Sequence, residues 1–186
     1  MALFFQYPLA AGPQAKKWDK EPATVLGLTL GGPFNESTME LCPQGWAFDM
    51  GDKMCLRKGY MPEYGVLEVD GRPNLGFGYR LYVTLKEALL TEISITGQYR
   101  EWDAIKDVLI EKYGPPHKIE NEKVTNLNGA VFMSERLSWD GKKVSIMASA
   151  RTTDLNTVSV MFFDNANLKR AVESDRQRAK GAASKL

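Results

Sequence analysis

Residues 79–98 read YRLYVTLKEALLTEISITGQ, and residues 99–116 continue as YREWDAIKDVLIEKYGPP. The first stretch alternates. Leu81, Val83 and Leu85 are separated by Arg80, Tyr82 and Thr84; after a turn near Lys86-Glu87, Ile93 and Ile95 alternate with Glu92, Ser94 and Thr96. Apolar residues at every second position bury one face of each strand, so the segment reads as an antiparallel hairpin closed at Gly97. The second stretch changes period. Trp102, Ile105, Val108, Leu109 and Tyr113 recur at three-to-four spacing, while Arg100, Glu101, Asp103, Lys106, Asp107 and Glu111 fall largely elsewhere. That is the pattern of a helix with one buried stripe, about Tyr99 to Tyr113. Gly114 supplies a left-handed stop and Pro115-Pro116 forbids continuation. A hairpin leading into an amphipathic helix predicts the α+β class, with an antiparallel sheet packed on that helix.

Downstream the strand period returns. Asn128-Gly129 and Asp140-Gly141 are hairpin-turn pairs, and strands are expected at Ala130–Met133, Leu137–Trp139, Lys143–Ser149 and Thr157–Phe163. A closing helix is expected from near Asn165 or Asn167 to about Lys180, anchored only through Leu168, Ala171 and Val172. Upstream, Thr24–Leu30 alternates as a strand and ends at Gly31-Gly32-Pro33. Ser37 and Glu40 have capping-box spacing for a short helix that begins at Asn35 or Ser37 and runs through Leu41, with Pro43 as its stop. The Gly- and Pro-rich residues 43–78 leave room for short strands at Lys53–Lys58 and Gly65–Val69, with a tight turn at Asp70-Gly71. The sheet should therefore have about four or more strands. The chain divides into an N-terminal arm over residues 1–21, an α+β domain over 22–164, and a C-terminal helix with a basic tail over 165–186.

Composition narrows the function classes. At 186 residues, with 44% apolar and 25% charged residues, the chain is of globular type and long enough for its own core. Lys plus Arg number 24 against 23 Asp plus Glu, so the whole molecule carries no general attraction for polyanions. No apolar run approaches the roughly 20 residues of a membrane-spanning helix. The apolar start at residues 2–11 lacks a preceding positive charge, since Lys16, Lys17 and Lys20 follow it; it reads as an edge strand or partner-binding arm.

Catalytic motifs are missing. His117 is the only histidine and has no nucleophile or acid in a recognisable pattern beside it, so an exposed or packing role is expected. There is no Gly-x-Ser-x-Gly elbow, no phosphate-binding loop and no His-Glu-x-x-His. No catalytic residue, metal or cofactor is assigned. Cys42 and Cys55 are separated by twelve residues; they form a disulfide in an exported protein, or two buried thiols in a cytosolic one, and both readings stand. The final Ser-Lys-Leu has the form of a peroxisomal address, which three common residues also produce by chance.

Two surfaces carry recognition chemistry. If the alternating apolar residues face the helix, Arg80, Tyr82, Ser94, Met147, Met161 and Phe163 share the outward face, with Glu92 and Lys143 at its rim. Tyr and Met are over-used at recognition surfaces, so this face is the leading candidate for binding another protein. The second surface is the C-terminal helix, where Lys169, Arg170, Arg176, Arg178 and Lys180 outnumber Glu173 and Asp175. It suits a nucleic-acid backbone or an acidic partner.

The hairpin from Leu81 to Ile95, the helix ending in Leu-Ile-Glu-Lys-Tyr-Gly-Pro-Pro (109–116), Trp139 and the strands after it resemble the β-lactamase-inhibitor-protein-like group. That group includes outer-membrane-assembly lipoproteins. The Leu-Gly-Gly-Pro-Phe run (30–34) upstream of Cys42 fits the same pattern, and the resemblance spans about residues 24–163. It implies a non-enzymatic module that binds or inhibits proteins through an open sheet face, with a periplasmic or exported location. A cytoplasmic location is the alternative. The leading expectation is thus a non-catalytic protein-binding or inhibitory module. Behind it stand a structural or nucleic-acid-associated subunit docking through the basic helix, and an enzyme with scattered site residues.

Overall fold

The structure, a computed structural model, describes residues 18–34, 39–42, 53–57, 65–125, 129–152 and 154–183. Among the described residues eight strands form one open antiparallel sheet: β1 (Cys55–Arg57), β2 (Val66–Asp70), β3 (Tyr79–Lys86), β4 (Leu89–Gln98), β5 (Lys118–Thr125), β6 (Val131–Asp140), β7 (Val144–Ser149) and β8 (Thr157–Asp164). Helix α1 (Trp102–Tyr113) follows β4, and α2 (Asn165–Ala183) follows β8. The strand order is β1-β2-β3-β4-β8-β7-β6-β5, so β8 returns to lie beside β4 and joins two meanders into one sheet.

The hairpin of the opening stretch forms β3 and β4. Its turn falls at Glu87 and Ala88, one residue later than the sequence suggests, and both adopt positive φ, at 53° and 59°. Two left-handed central residues match the twist of the flanking strands. Gly97 does not end the hairpin: β4 continues through Gln98, with Gly97 opposite both Tyr79 and Val158. A Cβ at Gly97 would lie 3.3 Å from Ile105 Cδ1 and from the Gly78 carbonyl oxygen, so α1 packs close to the sheet here.

Register gathers the apolar residues into lateral rows. Leu67, Val83, Ile93, Phe162, Ile146 and Trp139 lie side by side; so do Val69, Leu81, Ile95, Val160, Ala148 and Leu137. All but the partly buried Leu67 are buried, and α1 covers them with Trp102, Ile105, Leu109 and Tyr113. Val108 departs from the expected stripe, being 37% exposed; Ile110 packs against the core instead. Two indoles on this side are hydrogen-bonded. Trp102 Nε1 donates to Glu135 Oε2 at 2.8 Å, and Trp139 Nε1 to the Gly114 carbonyl at 2.9 Å. Burial pushes the Tyr113 hydroxyl up to about 12.

Several expectations are corrected. Thr24–Leu30 is no strand: Leu26 and Gly27 turn at positive φ, and Val25 and Leu28 exchange backbone hydrogen bonds across that turn. The alternation there reflects packing, since Val25 is buried and Leu26, Leu28 and Leu30 touch the core. Residues 35–38, where the short helix was expected to begin, lie outside the described residues. Its expected end is extended, with Cys42 N donating to Leu56 O and Leu56 N to Glu40 O. The two short segments Ala130–Met133 and Leu137–Trp139 are one strand, β6, running through the polar Ser134, Glu135 and Arg136. Strand β5 was not anticipated, because KIENEKVT carries almost no apolar alternation; it is a charged edge strand. Asp70-Gly71 is not a tight turn: β2 and β3 do pair as antiparallel neighbours, but Gly71, at φ +67, opens a longer connection that reaches β3 only at Tyr79. A Cβ there would fall 1.9 Å from the Lys53 carbonyl oxygen, so the close approach requires glycine.

The ends also differ from expectation. Trp18 and Glu21, within the expected arm, belong to the packed body: Trp18 Nε1 donates to Tyr113 O at 2.8 Å, and Glu21 Oε1 accepts from the Val144 backbone at 2.9 Å. Helix α2 is capped by Asp164, whose carboxylate accepts from Ala166 N and Asn167 N. Leu168 and Val172 do not anchor it. They are 45% and 44% exposed, and Asn165 is its one buried described residue, donating through Nδ2 to Gly141 O at 2.9 Å.

Candidate functional site

The face of the sheet opposite α1 is built from the intervening residues of each strand. One row across it reads Glu68, Tyr82, Ser94, Met161, Met147, Ser138 and Lys118. The next reads Val66, Thr84, Glu92, Phe163, Ser145 and Asp140. Met147 and Met161 are direct neighbours, and Phe163 lies two residues along β8 from Met161. Tyr82 stands one strand further off, across Ser94. Tyr82, Ser94, Met147, Met161 and Phe163 are all half-buried, and Arg80 is exposed. The residues singled out from sequence therefore share one face, with a three-residue apolar cluster and Tyr82 beside it.

Glu92 sits between Thr84 and Phe163, and burial raises its carboxyl above the usual glutamate range. No ion pair or hydrogen bond among the described residues engages it. A half-buried acid at the edge of an apolar cluster is a poor choice for stability alone.

Towards the other end of the strands the same face turns polar. A third row runs Arg80, Thr96, Ser159, Ser149, Arg136 and Glu120. Beyond it Gln98 pairs with Thr157, and Ser134 pairs with Glu122. Arg151 continues β7 between them: its backbone N–H donates to Ser134 Oγ at 3.0 Å and its carbonyl accepts from the same hydroxyl at 3.1 Å. Its guanidinium lies 3.5 Å from the Tyr99 ring centroid and 5.5 Å from that of Phe132. Nη1 donates to Leu155 O at 2.8 Å, whereas the buried Nε has no partner among the described residues. The nearby Arg136 pairs with Glu122 at 2.5 Å.

A cleft of about 1010 Å³ opens at this end, lined by Arg72, Arg80, Tyr82, Thr96, Gln98, Tyr99, Arg100, Asn156 and Thr157, with Glu101 and Asp154 at its acidic positions. Arg72 is held by Asp70 at 2.9 Å and lies over the Tyr79 ring. Asp154 accepts from Asn156 N and from the Thr157 hydroxyl, and these bonds hold its carboxyl below the usual range. The cleft thus shares Arg80, Tyr82 and Thr96 with the sheet face, so groove and face form one surface.

The other sequence candidates lie elsewhere. His117 accepts a hydrogen bond at Nδ1 from Asp140 N at 2.9 Å, and its ring stands edge-on to Trp18 at 5.4 Å; it does not line the cleft. Cys42 and Cys55 are joined in a disulfide with Cα atoms 4.9 Å apart, tying residues 40–42 to the β1 edge. Lys169, Arg170, Arg176, Arg178 and Lys180 are exposed along α2, with Arg178 paired to Asp175. Among the described residues no group of three or more His, Cys, Asp or Glu side chains could hold a metal ion, and no helix is long and apolar enough to cross a membrane. Arg151 and Arg136 escaped the sequence reading, because only the register places them beside Ser149 and Ser159.

No protein-family model matches the chain, and no curated protein or solved structure matches it.

Proposed function

We propose that this α+β protein is a non-catalytic protein-binding module whose recognition surface is the sheet face opposite α1. The observation that carries the reading is the adjacency of Met147, Met161 and Phe163, half-buried and side by side, with Tyr82 across Ser94. Water-facing strand positions ordinarily hold Thr, Ser, Lys or Glu, as Thr84, Ser94, Thr96 and Ser145 do here. Large adaptable side chains clustered among such neighbours are the arrangement of a binding hot spot. The resemblance to the β-lactamase-inhibitor-like modules agrees with this reading and extends it to an inhibitory role and an exported location, which also suits the disulfide.

The test is capture from native lysate by the immobilised wild-type chain and by Met161→Lys, followed by dissociation kinetics with the recovered partner. Phe163→Ala and Tyr82→Ala should speed dissociation, and charge reversal at Arg80 should mainly slow association. A partner held equally well by Met161→Lys refutes the reading.

A second reading rests on α2, which presents its cations along a helix with only Asn165 buried among its described residues. It is the arrangement of an arm that docks on nucleic acid or an acidic surface. Polyanion affinity that falls steeply with salt and disappears when α2 is cut at Arg176 supports it.

A further inference from the structure

The outer face is divided along the strands. Its apolar half carries Met147, Met161 and Phe163; its polar half carries Arg80, Arg136 and Arg151 among the hydroxyls of Thr96, Ser149 and Ser159. Arg151 is the unusual member. Arg72, Arg100 and Arg136 each pair with a carboxylate, at 2.9, 3.2 and 2.5 Å. Arg151 has no acidic partner among the described residues. It is half-buried, clamped on Tyr99 and near Phe132, and fixed at Nη1 by a backbone carbonyl, with Nε buried and without a partner among the described residues. A cation already held in place and missing its counter-charge is suited to accept one from outside, because little ordering is left to be done on binding.

We propose that the polar half, centred on Arg151, is a carboxylate-recognition subsite for an acidic segment of a protein partner whose apolar side chains rest on the Met147–Met161–Phe163 half. This rests on the protein-binding reading and specifies the chemistry of the partner. The adjacent halves call for Asp or Glu interspersed with large apolar residues. A nucleic-acid strand fits less well: Arg151 already occupies the Tyr99 and Phe132 rings on which bases would stack, and a phosphodiester chain following the face would run onto Met147 and Met161.

The probe is a short synthetic peptide of mixed glutamate and leucine, titrated into the full chain by fluorescence anisotropy. The same peptide with glutamine for glutamate, and a single-stranded oligonucleotide, are titrated alongside. The glutamate peptide should bind at least roughly tenfold more tightly than the glutamine peptide, the difference expected for charge-assisted hydrogen bonds, and the advantage should shrink with salt. Arg151→Gln should remove most of that advantage and Arg151→Lys should restore part of it, with melting curves confirming that each variant is folded. Equal affinity for the two peptides on the wild-type chain overturns the proposal whatever the variants do, and so does tighter binding of the oligonucleotide. The two readings fail separately. If the glutamate advantage stands but Phe163→Ala leaves both peptides unaffected, the carboxylate subsite survives and the apolar anchor does not. If the advantage is absent while the captured partner still depends on Phe163, the reverse holds.

Discussion

At the residue scale Glu92 gives the sharpest handle on the outer face. Burial raises its carboxyl pKa in the folded chain, so the native state holds that proton more tightly than the unfolded state does. The sign follows directly: the stabilising effect is fully present below the ordinary glutamate range, near pH 4, and is lost as pH rises through the raised value. Glu92→Gln should therefore melt higher than wild type at neutral pH and match it near pH 4, by calorimetry at both. A variant that melts lower at neutral pH would mean that a partner satisfies the carboxylate. Cys42 and Cys55 make a separate residue-scale contribution: a loop of that length closed by a disulfide is worth roughly 3 kcal/mol in the chain-entropy description.

At the scale of elements, α1 decides the core. Ile105 is 2% exposed and lies close against the sheet at Gly97. Ile105→Ala should cost about 2–5 kcal/mol of stability, read from the denaturation midpoint; an unchanged midpoint would remove α1 from the core. Helix α2 is the opposite case. With Leu168 and Val172 exposed and its anchor confined to Asp164 and Asn165, deleting residues 176–186 should leave the melting temperature unchanged. A lowered transition would show that the distal turns pack. The elements were legible in proportion to their periodicity. The Leu81–Ile95 hairpin and the 102–113 helix announce themselves because one face of each is apolar. Strand β5 does not, since an edge strand can be charged along its length, and Thr24–Leu30 misled because a turn at Leu26-Gly27 interrupts residues that are buried for another reason.

At the scale of the whole molecule the strand order does what no local pattern reveals. Alternation assigns Arg80, Tyr82, Ser94, Met147, Met161 and Phe163 to one face, and the pairing of β4 with β8 turns that shared parity into adjacency. Arg151 lies outside the expected strands and takes its place because β7 runs between β8 and β6, with Ser149 paired to Ser159 and Ser134 bonded to the Arg151 backbone. The fold class was thus readable from two periodicities, whereas the division of the outer face into apolar and cationic halves is a property of register.

The direct test of the protein-binding claim is oxidative footprinting of the methionines, with and without the partner recovered by capture. Met147 and Met161 lie on the outer face; Met133 is 54% exposed on the opposite parity of β6 and serves as the internal control. The account expects the partner to slow sulfoxide formation at Met147 and Met161 by several-fold, leaving Met133 at its free rate. Protection at Met133 alone, or no change at Met147 and Met161 under saturating partner, would contradict it.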